Sequence, residues 1–337
     1  MTRRCMAVAV AFWLAASAMV WADSIKTTSA SLSGKITKVS AMEVTIEPAA
    51  GGAKQVPVNE IEMVVYEDEP TLLKTARTAA AAGRFEDALT ALEKVNAAEI
   101  KRPEVKQDLD FLKAYAAAKL ALAGNGKITE AGSAMASFAS ANPESFHSLE
   151  AAEIVGDLLV AAGKHSAAQT FYAKVAEAPW PDYKMRAKVA IGRALMAEGK
   201  SEEAMKAFQE ALNTEAQGEL ADRQRLAATL GTARCLIQAG KAEESIKAVQ
   251  AVIEKADPEA MELHAKAYNV LGLAHRKANR PKDALMAFLH TDVLYFTNPE
   301  DHVEALKNLA ELWKELQKPD RAARAEQILR DQYKQGG

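Results

Sequence analysis

The stretch Ala187 to Leu212, AKVAIGRALMAEGKSEEAMKAFQEAL, constrains the fold of this chain more than any other. It reads as two helices joined at Gly199. In the first half Val189, Leu195 and Met196 are apolar, and Ala190, Gly192 and Ala194 are small, so one helical face admits a close neighbour. Gly192 has no β-carbon and is the predicted contact for a second helix. Gly199 ends the first helix because glycine takes the left-handed position after a helix without strain. Ser201 is the expected N-cap of the second helix, with Glu202 and Glu203 in the first turn, where the helix dipole favours acids. Ala204, Met205, Phe208, Ala211 and Leu212 then form one apolar stripe. A lone pair of this kind leaves its stripes in water, so copies must stack.

Copies are present along most of the chain. The expected turn positions are Gly83, Gly126, Gly163, Gly199, Gly240, Asn279 and Gln317, spaced 36 to 43 residues apart. Each is followed by a small-and-large pattern: Phe85, Ala88 and Leu92; Ala131, Met135 and Phe138; Ala168, Tyr172 and Val175; Ser245, Ile246 and Val249; Ala284, Leu285 and Phe288; Pro319, Ala322 and Ala323. Gly156 and Gly272 precede their turns by seven residues, as Gly192 does. The small-large set Gly192, Gly199, Ala204, Phe208 and Ala211 resembles the tetratricopeptide repeat. That resemblance implies a right-handed superhelix of helix hairpins that binds peptides or proteins. The spacing exceeds the usual 34 of such repeats, so longer helices or loops are expected. The predicted fold is mainly α: an α-solenoid of about seven hairpins over 69–335, preceded by a small antiparallel β module over 23–68.

The β module is read from a change of period. Gly34 and Ile36, Val44 and Ile46, Val56 and Val58, and Ile61, Met63 and Val65 alternate with polar residues, the mark of half-buried strands. Ala49-Ala50-Gly51-Gly52 is the turn of one hairpin. Four or five strands in a barrel-like arrangement are expected. About forty residues bury little apolar area, so the module is expected to lean on the first helices and to cap the solenoid, a binding role being the alternative. Pro70 is expected at the first helical position. Ahead of the module, Arg3 and Arg4, the apolar run Met6 to Met19 and the sequence Val20-Trp21-Ala22 read as a secretory signal peptide over 1–22, cleaved before Asp23. Cys5 precedes the apolar run, so no lipoprotein signal is formed. The expected address is the periplasm or the exterior of a bacterium.

Catalytic chemistry finds no purchase. Gly156 to Lys164 has six residues between its glycines where a phosphate loop needs four. The six histidines have no metal-ligand spacing, and Cys235, beside Leu236 on a first helix, is read as an inert thiol. No catalytic, cofactor-binding or metal-binding residue is expected. The net charge of −3 gives no general attraction for nucleic acid. The expected function is a non-enzymatic protein-binding scaffold of the cell envelope. The alternatives are an envelope component that self-assembles and an accessory subunit of an envelope enzyme complex.

In a repeat fold of this kind the first helix of each hairpin lines the concave groove. Counting back from the turns places Arg186, Val189, Arg193 and Met196 on that face, then Ala227, Leu230, Arg234 and Ile237, then Lys266, Asn269, Leu273 and Arg276. The third hairpin offers Glu150, Glu153, Asp157 and Val160 instead. Arg193 and Arg234 hold equivalent places and are expected side by side. Arg186, Arg193, Arg234, Lys266, Asn269 and Arg276 are the candidate partner-binding residues, for an acidic, partly apolar segment of a protein or peptide. Arginine's rigid fork suits bidentate carboxylate contacts. A solvated face whose charges balance across neighbouring hairpins is the competing reading. The set does not match the Lys and Asn pattern of the family's chaperone-tail clamp, so that ligand is not implied.

Overall fold

The computed structural model describes residues 23–333. The predicted signal peptide at 1–22 lies outside the described residues. Five strands come first: β1 (Asp23–Thr27), β2 (Ser31–Val39), β3 (Glu43–Glu47), β4 (Lys54–Pro57) and β5 (Ile61–Val65). They form one antiparallel sheet in the order β4-β3-β2-β1-β5. The sheet is open, with β4 and β5 at its edges, rather than closed into a barrel. Gly51, at φ 109°, sits in the β3–β4 turn.

Helices follow in pairs: α1 (Thr71–Ala81) with α2 (Phe85–Glu93), α3 (Pro103–Leu122) with α4 (Ile128–Ala141), and α5 (Ser148–Ala161) with α6 (His165–Ala176). Next come α7 (Pro181–Ala197) with α8 (Ser201–Leu212) and α9 (Glu219–Gln238) with α10 (Ala242–Lys255). The array ends in α11 (Met261–Lys277) with α12 (Pro281–Leu294) and α13 (Pro299–Glu315) with α14 (Pro319–Tyr333). Six of the seven expected turn residues have the left-handed φ that breaks a helix: Gly83, Gly163, Gly199, Gly240, Asn279 and Gln317.

The second turn corrects the sequence reading. Gly124, at φ 85°, takes the left-handed position, not Gly126. It stands one residue beyond the C-cap Ala123, just as Gly83 follows Ala82 and Gly163 follows Ala162. Ser201 is a second correction. The N-cap of α8 is Lys200, without a side-chain cap, and the Ser201 hydroxyl instead donates to Gln238 on α9. Pro70 stands one residue earlier than expected, as the N-cap of α1.

Aromatic residues on the second helices fill the space left by glycines on the first. Phe208 packs on both Gly192 and Gly231, Tyr172 on Gly156, and Phe288 on Gly272. One ring thus locks its own hairpin and, at Phe208, the next one too.

The sheet shares a core with the first hairpins: Ile25, Ile46, Val64 and Tyr66 join Leu73, Leu92 and Leu109 in one cluster. Polar ties reinforce this junction. The buried Asp23 carboxylate accepts from the Ile36 N–H at 2.8 Å, the Glu67 N–H at 2.9 Å and Arg102 Nη1 at 2.8 Å. Arg77 donates to both Glu69 oxygens at 2.8 Å and pairs with Asp108. His147 Nε2 bonds Asp108 at 2.8 Å and stacks its ring on Phe111 at 3.7 Å. Buried ions need such full pairing to be tolerated.

Candidate partner-binding hollow

The superhelix is tight enough to meet itself. α13 touches α3, and the turn at Gly83 lies against the backbone of Thr297 between α12 and α13. The first helices α1, α3, α5, α7, α9 and α11 therefore surround a central hollow of ≈ 880 Å³. Its volume lies within the range of about 300–1,000 Å³ usual for ligand sites.

Three of the six candidate residues, Arg186, Arg193 and Lys266, line this hollow together with Val189 and Ala227. The other three lie elsewhere. Asn269 is fully buried, its amide donating to the Asp301 carbonyl at 2.8 Å. Arg234 makes a two-pronged pair with Glu304 at 2.9 and 2.7 Å, and Arg276 binds Asn308, Glu311 and Glu315 on α13. Leu230 is in the core. Arg193 and Arg234 reach for opposite ends of the array, Arg193 back to α5 and Arg234 forward to α13.

The cations that do face the hollow have partners on adjoining hairpins. Arg186 pairs with Glu153, and Arg193 lies 3.2 Å from Asp157 and 3.7 Å from Glu153. Lys266 sits between Glu262 and Asp301, the latter at 3.2 Å. Lys266 holds the Glu262 carboxyl down to about 2, whereas burial pushes Asp301 up to about 6 despite the same lysine. Burial likewise raises Glu153 against the pull of Arg186. The acidic third hairpin thus neutralises much of the basic fourth.

Lys119 is the residue that counting back from the turns misses. It lines the hollow from α3, lies over the Tyr115 ring at 5.7 Å, and has no carboxylate within 4.0 Å among the described residues. Burial would lower its pKa, but Tyr115 and the carboxylates of Glu300, Glu262 and Asp157 around the hollow more than offset this, so it stays charged. Counting back from Gly124 as in the other hairpins gives Phe111, Ala114, Ala118 and Ala121, all buried. Lys119 is one position off that count. Five basic residues and three acids line the hollow, which leaves it with a positive excess.

Among the described residues no helix is long and apolar enough to cross a membrane, and no group of three His, Cys, Asp or Glu is placed to hold a metal ion. Cys235 is buried with its sulfur 3.2 Å from that of Met196, and burial pushes its thiol up to about 11.

The tetratricopeptide repeat family model matches residues 155–221, 190–260 and 230–290. Among curated proteins none matches the chain. Solved structures resemble it more widely. The apo form of the quorum sensor NprR from B. thuringiensis aligns with a TM-score of 0.54 and 16% identity, over 77% of this chain and 74% of that one. A Rap protein complexed with competence and sporulation factor gives 0.54 and 13%, over 77% and 72%. A tetratricopeptide repeat protein from Parabacteroides merdae gives 0.48 and 17%, over 76% and 91%. At these identities the likeness concerns the fold.

Proposed function

Because this chain belongs to the tetratricopeptide-repeat family, we propose that it is a non-enzymatic scaffold that takes an acidic, partly apolar segment of a protein or peptide into its central hollow. The observation that carries this reading is Lys119, a charged lysine with no close carboxylate inside a cavity of ligand size. Lys119 is held by the Tyr115 ring and by carboxylates at longer range, and no direct ion pair occupies its ammonium, so a carboxylate from outside can take that contact. Arg186, Arg193 and Lys266 stand around it as secondary contacts. Of their present partners Asp157 and Glu262 are partly exposed, and such pairs are worth only about 0–1 kcal/mol. Glu153 and Asp301 are largely buried, so the partner meets Arg193 more readily than Arg186 or Lys266. Arg234, Asn269 and Arg276 serve the array itself by tying α9 and α11 to α13. The test is a pull-down from envelope extract with the parent chain and with Lys119→Glu plus Arg193→Glu, folding being checked by circular dichroism. Loss of a partner from the folded variant supports the reading. Equal recovery of every partner at low and high salt refutes it.

The address proposed is the bacterial envelope. Its support is the order of Arg3-Arg4, the apolar run and Ala22. Intact mass of the exported protein checks this, with Asp23 expected as the first residue. Retention of 1–22 in a membrane fraction would sink it. Self-assembly is kept as a second reading because Met286, Val293, Leu294 and Phe296 are all more than half exposed on and just after α12. Mass in solution that rises with concentration would favour it.

A further inference from the structure

The two edges of the sheet differ. β4 carries Lys54 and Pro57, both of which oppose pairing with another strand. β5, Ile61-Glu62-Met63-Val64-Val65, has neither and pairs only with β1; a bulge at Glu62 interrupts its first residues and leaves Met63 to Val65 in regular register. Its one charge, Glu62, is held by Lys26 at 2.7 Å.

A second cavity, of ≈ 710 Å³, runs along β5. Ile61, Glu62, Met63 and Val64 all line it. Side chains alternate between the two faces of a strand. The bulge at Glu62 lets Ile61 and Glu62 share a face, but Met63 and Val64 follow in regular register. A wall that includes both of these is therefore the strand's edge, with its free backbone groups, rather than one of its faces. Leu112, Phe146, Tyr183 and Leu220 stand among the other lining residues. Tyr115, Arg186, Arg223 and Gln224 line both this cavity and the central hollow, so the two form one passage. Asn59, just before β5, bonds Asp182 of α7 at 3.2 Å and so holds the sheet across the passage mouth.

Charge along the passage defines what fits. Of the acids near β5, Asp108 is paired with Arg77 and His147, Glu62 with Lys26, and Glu150 lies 3.8 Å from His147, while Asp182 accepts a hydrogen bond from the neutral Asn59 amide. The available cations are Lys119 and Arg223, whose one carboxylate partner among the described residues is Glu219, one turn back, with both side chains more than half exposed.

We propose that β5 is a strand-addition edge. An extended acidic segment of the partner leaves the hollow, pairs with β5 as a sixth strand, and turns its acids toward Lys119 and Arg223. This rests on the hollow being the partner site. Main-chain hydrogen bonds would supply affinity, and the alternate side chains selectivity.

The probe is a synthetic capped peptide of alternating Glu and Val, with two companions N-methylated at every Glu or at every Val. N-methylation removes backbone donors and leaves the side chains unchanged. The parent peptide should bind the purified chain and slow hydrogen exchange of amides within 61–65 that exchange freely without it. One N-methylated series, which loses the main-chain donors that face β5, should lose affinity by about tenfold or more; the other should keep it. Equal binding by both companions, or unchanged exchange over 61–65 with peptide bound, overturns strand addition. If Lys119→Glu then abolishes binding, the hollow reading survives that failure. Protected β5 amides with binding untouched by Lys119→Glu would uphold the edge and refute the hollow. No binding by the peptide at all overturns strand addition.

Discussion

Gly83 and the carbonyl of Thr297 lie so close that a β-carbon on Gly83 would stand 2.6 Å from the Thr297 oxygen. One residue turns the first hairpin and the other leads into the last. The hollow exists because these ends meet. Gly163 has nearly the same backbone, φ 71° against 74°, but open space around it. Alanine in the left-handed conformation costs about 1–2 kcal/mol at either site. Gly83→Ala should add an overpacking cost of about 1–3 kcal/mol that Gly163→Ala escapes. Urea midpoints of the two variants measure the difference. Equal midpoints would show that the ends do not meet in solution.

Phe208 is the joint between the fourth and fifth hairpins. β-Carbons built on Gly192 and Gly231 would lie 2.5 and 2.4 Å from its ring. Gly192→Leu should therefore cost about 1–3 kcal/mol by overpacking. Leucine's better helix propensity returns roughly 0.5–1 kcal/mol, so the net change stays destabilising. A thermal melt of Gly192→Leu no lower than the parent's would refute this packing.

These glycines show what a sequence discloses. Gly192, Gly199 and Phe208 are legible because a missing β-carbon, a left-handed turn and a large ring are local requirements at fixed spacing. The Gly124–Gly126 pair is ambiguous in sequence because both glycines suit a turn, and only the end of α3 at Leu122 decides between them. The hollow is half legible. Its lining at Arg186, Arg193 and Lys266 follows from helical spacing. That Arg234 meets Glu304, seventy residues on, depends on superhelical pitch, which no local pattern encodes. Lys119 escapes because the count reaches Ala118 from Gly124 and Leu120 from Gly126, one residue to either side of it.

Asp301 gives the protein a pH dependence. Burial holds its carboxyl up to about 6, against 3.8 ordinarily. Between those values the folded chain binds a proton that the unfolded chain has released. Stability therefore falls as pH rises through this window. The cost stands in full above pH 6, at about 1.4 kcal/mol for every pH unit between the unfolded and folded values. Asp301→Asn removes it and leaves Lys266 with Glu262 as partner. The variant should match the parent near pH 4 and exceed it at pH 7, in urea titrations across that range. A variant weaker than the parent at pH 7 would mean that the Lys266 pair outweighs the burial.

Arg234 and Glu304 decide between a ligand contact and a tie within the array. Both side chains are about one-third exposed, at 33% and 30%, and their two-pronged geometry skips from the fifth hairpin to the seventh. Asn269 donates to the same Glu304 carboxylate at 3.3 Å, so three elements share one carboxylate. A pair of this exposure lies between surface pairs of about 0–1 kcal/mol and buried networks that couple by about 0.5–3 kcal/mol. A double-mutant cycle of Arg234→Ala and Glu304→Ala should give a coupling of about 1 kcal/mol. Arg234→Glu alone sets two carboxylates together, and should lower the melting temperature and weaken partner recovery by disturbing the pitch that shapes the hollow. Adding Glu304→Arg restores an ion pair in reversed order. If Arg234 works only through the array, the swapped pair should recover both stability and binding. If Arg234 touches the partner directly, stability returns while binding does not, because a glutamate then faces an acidic ligand.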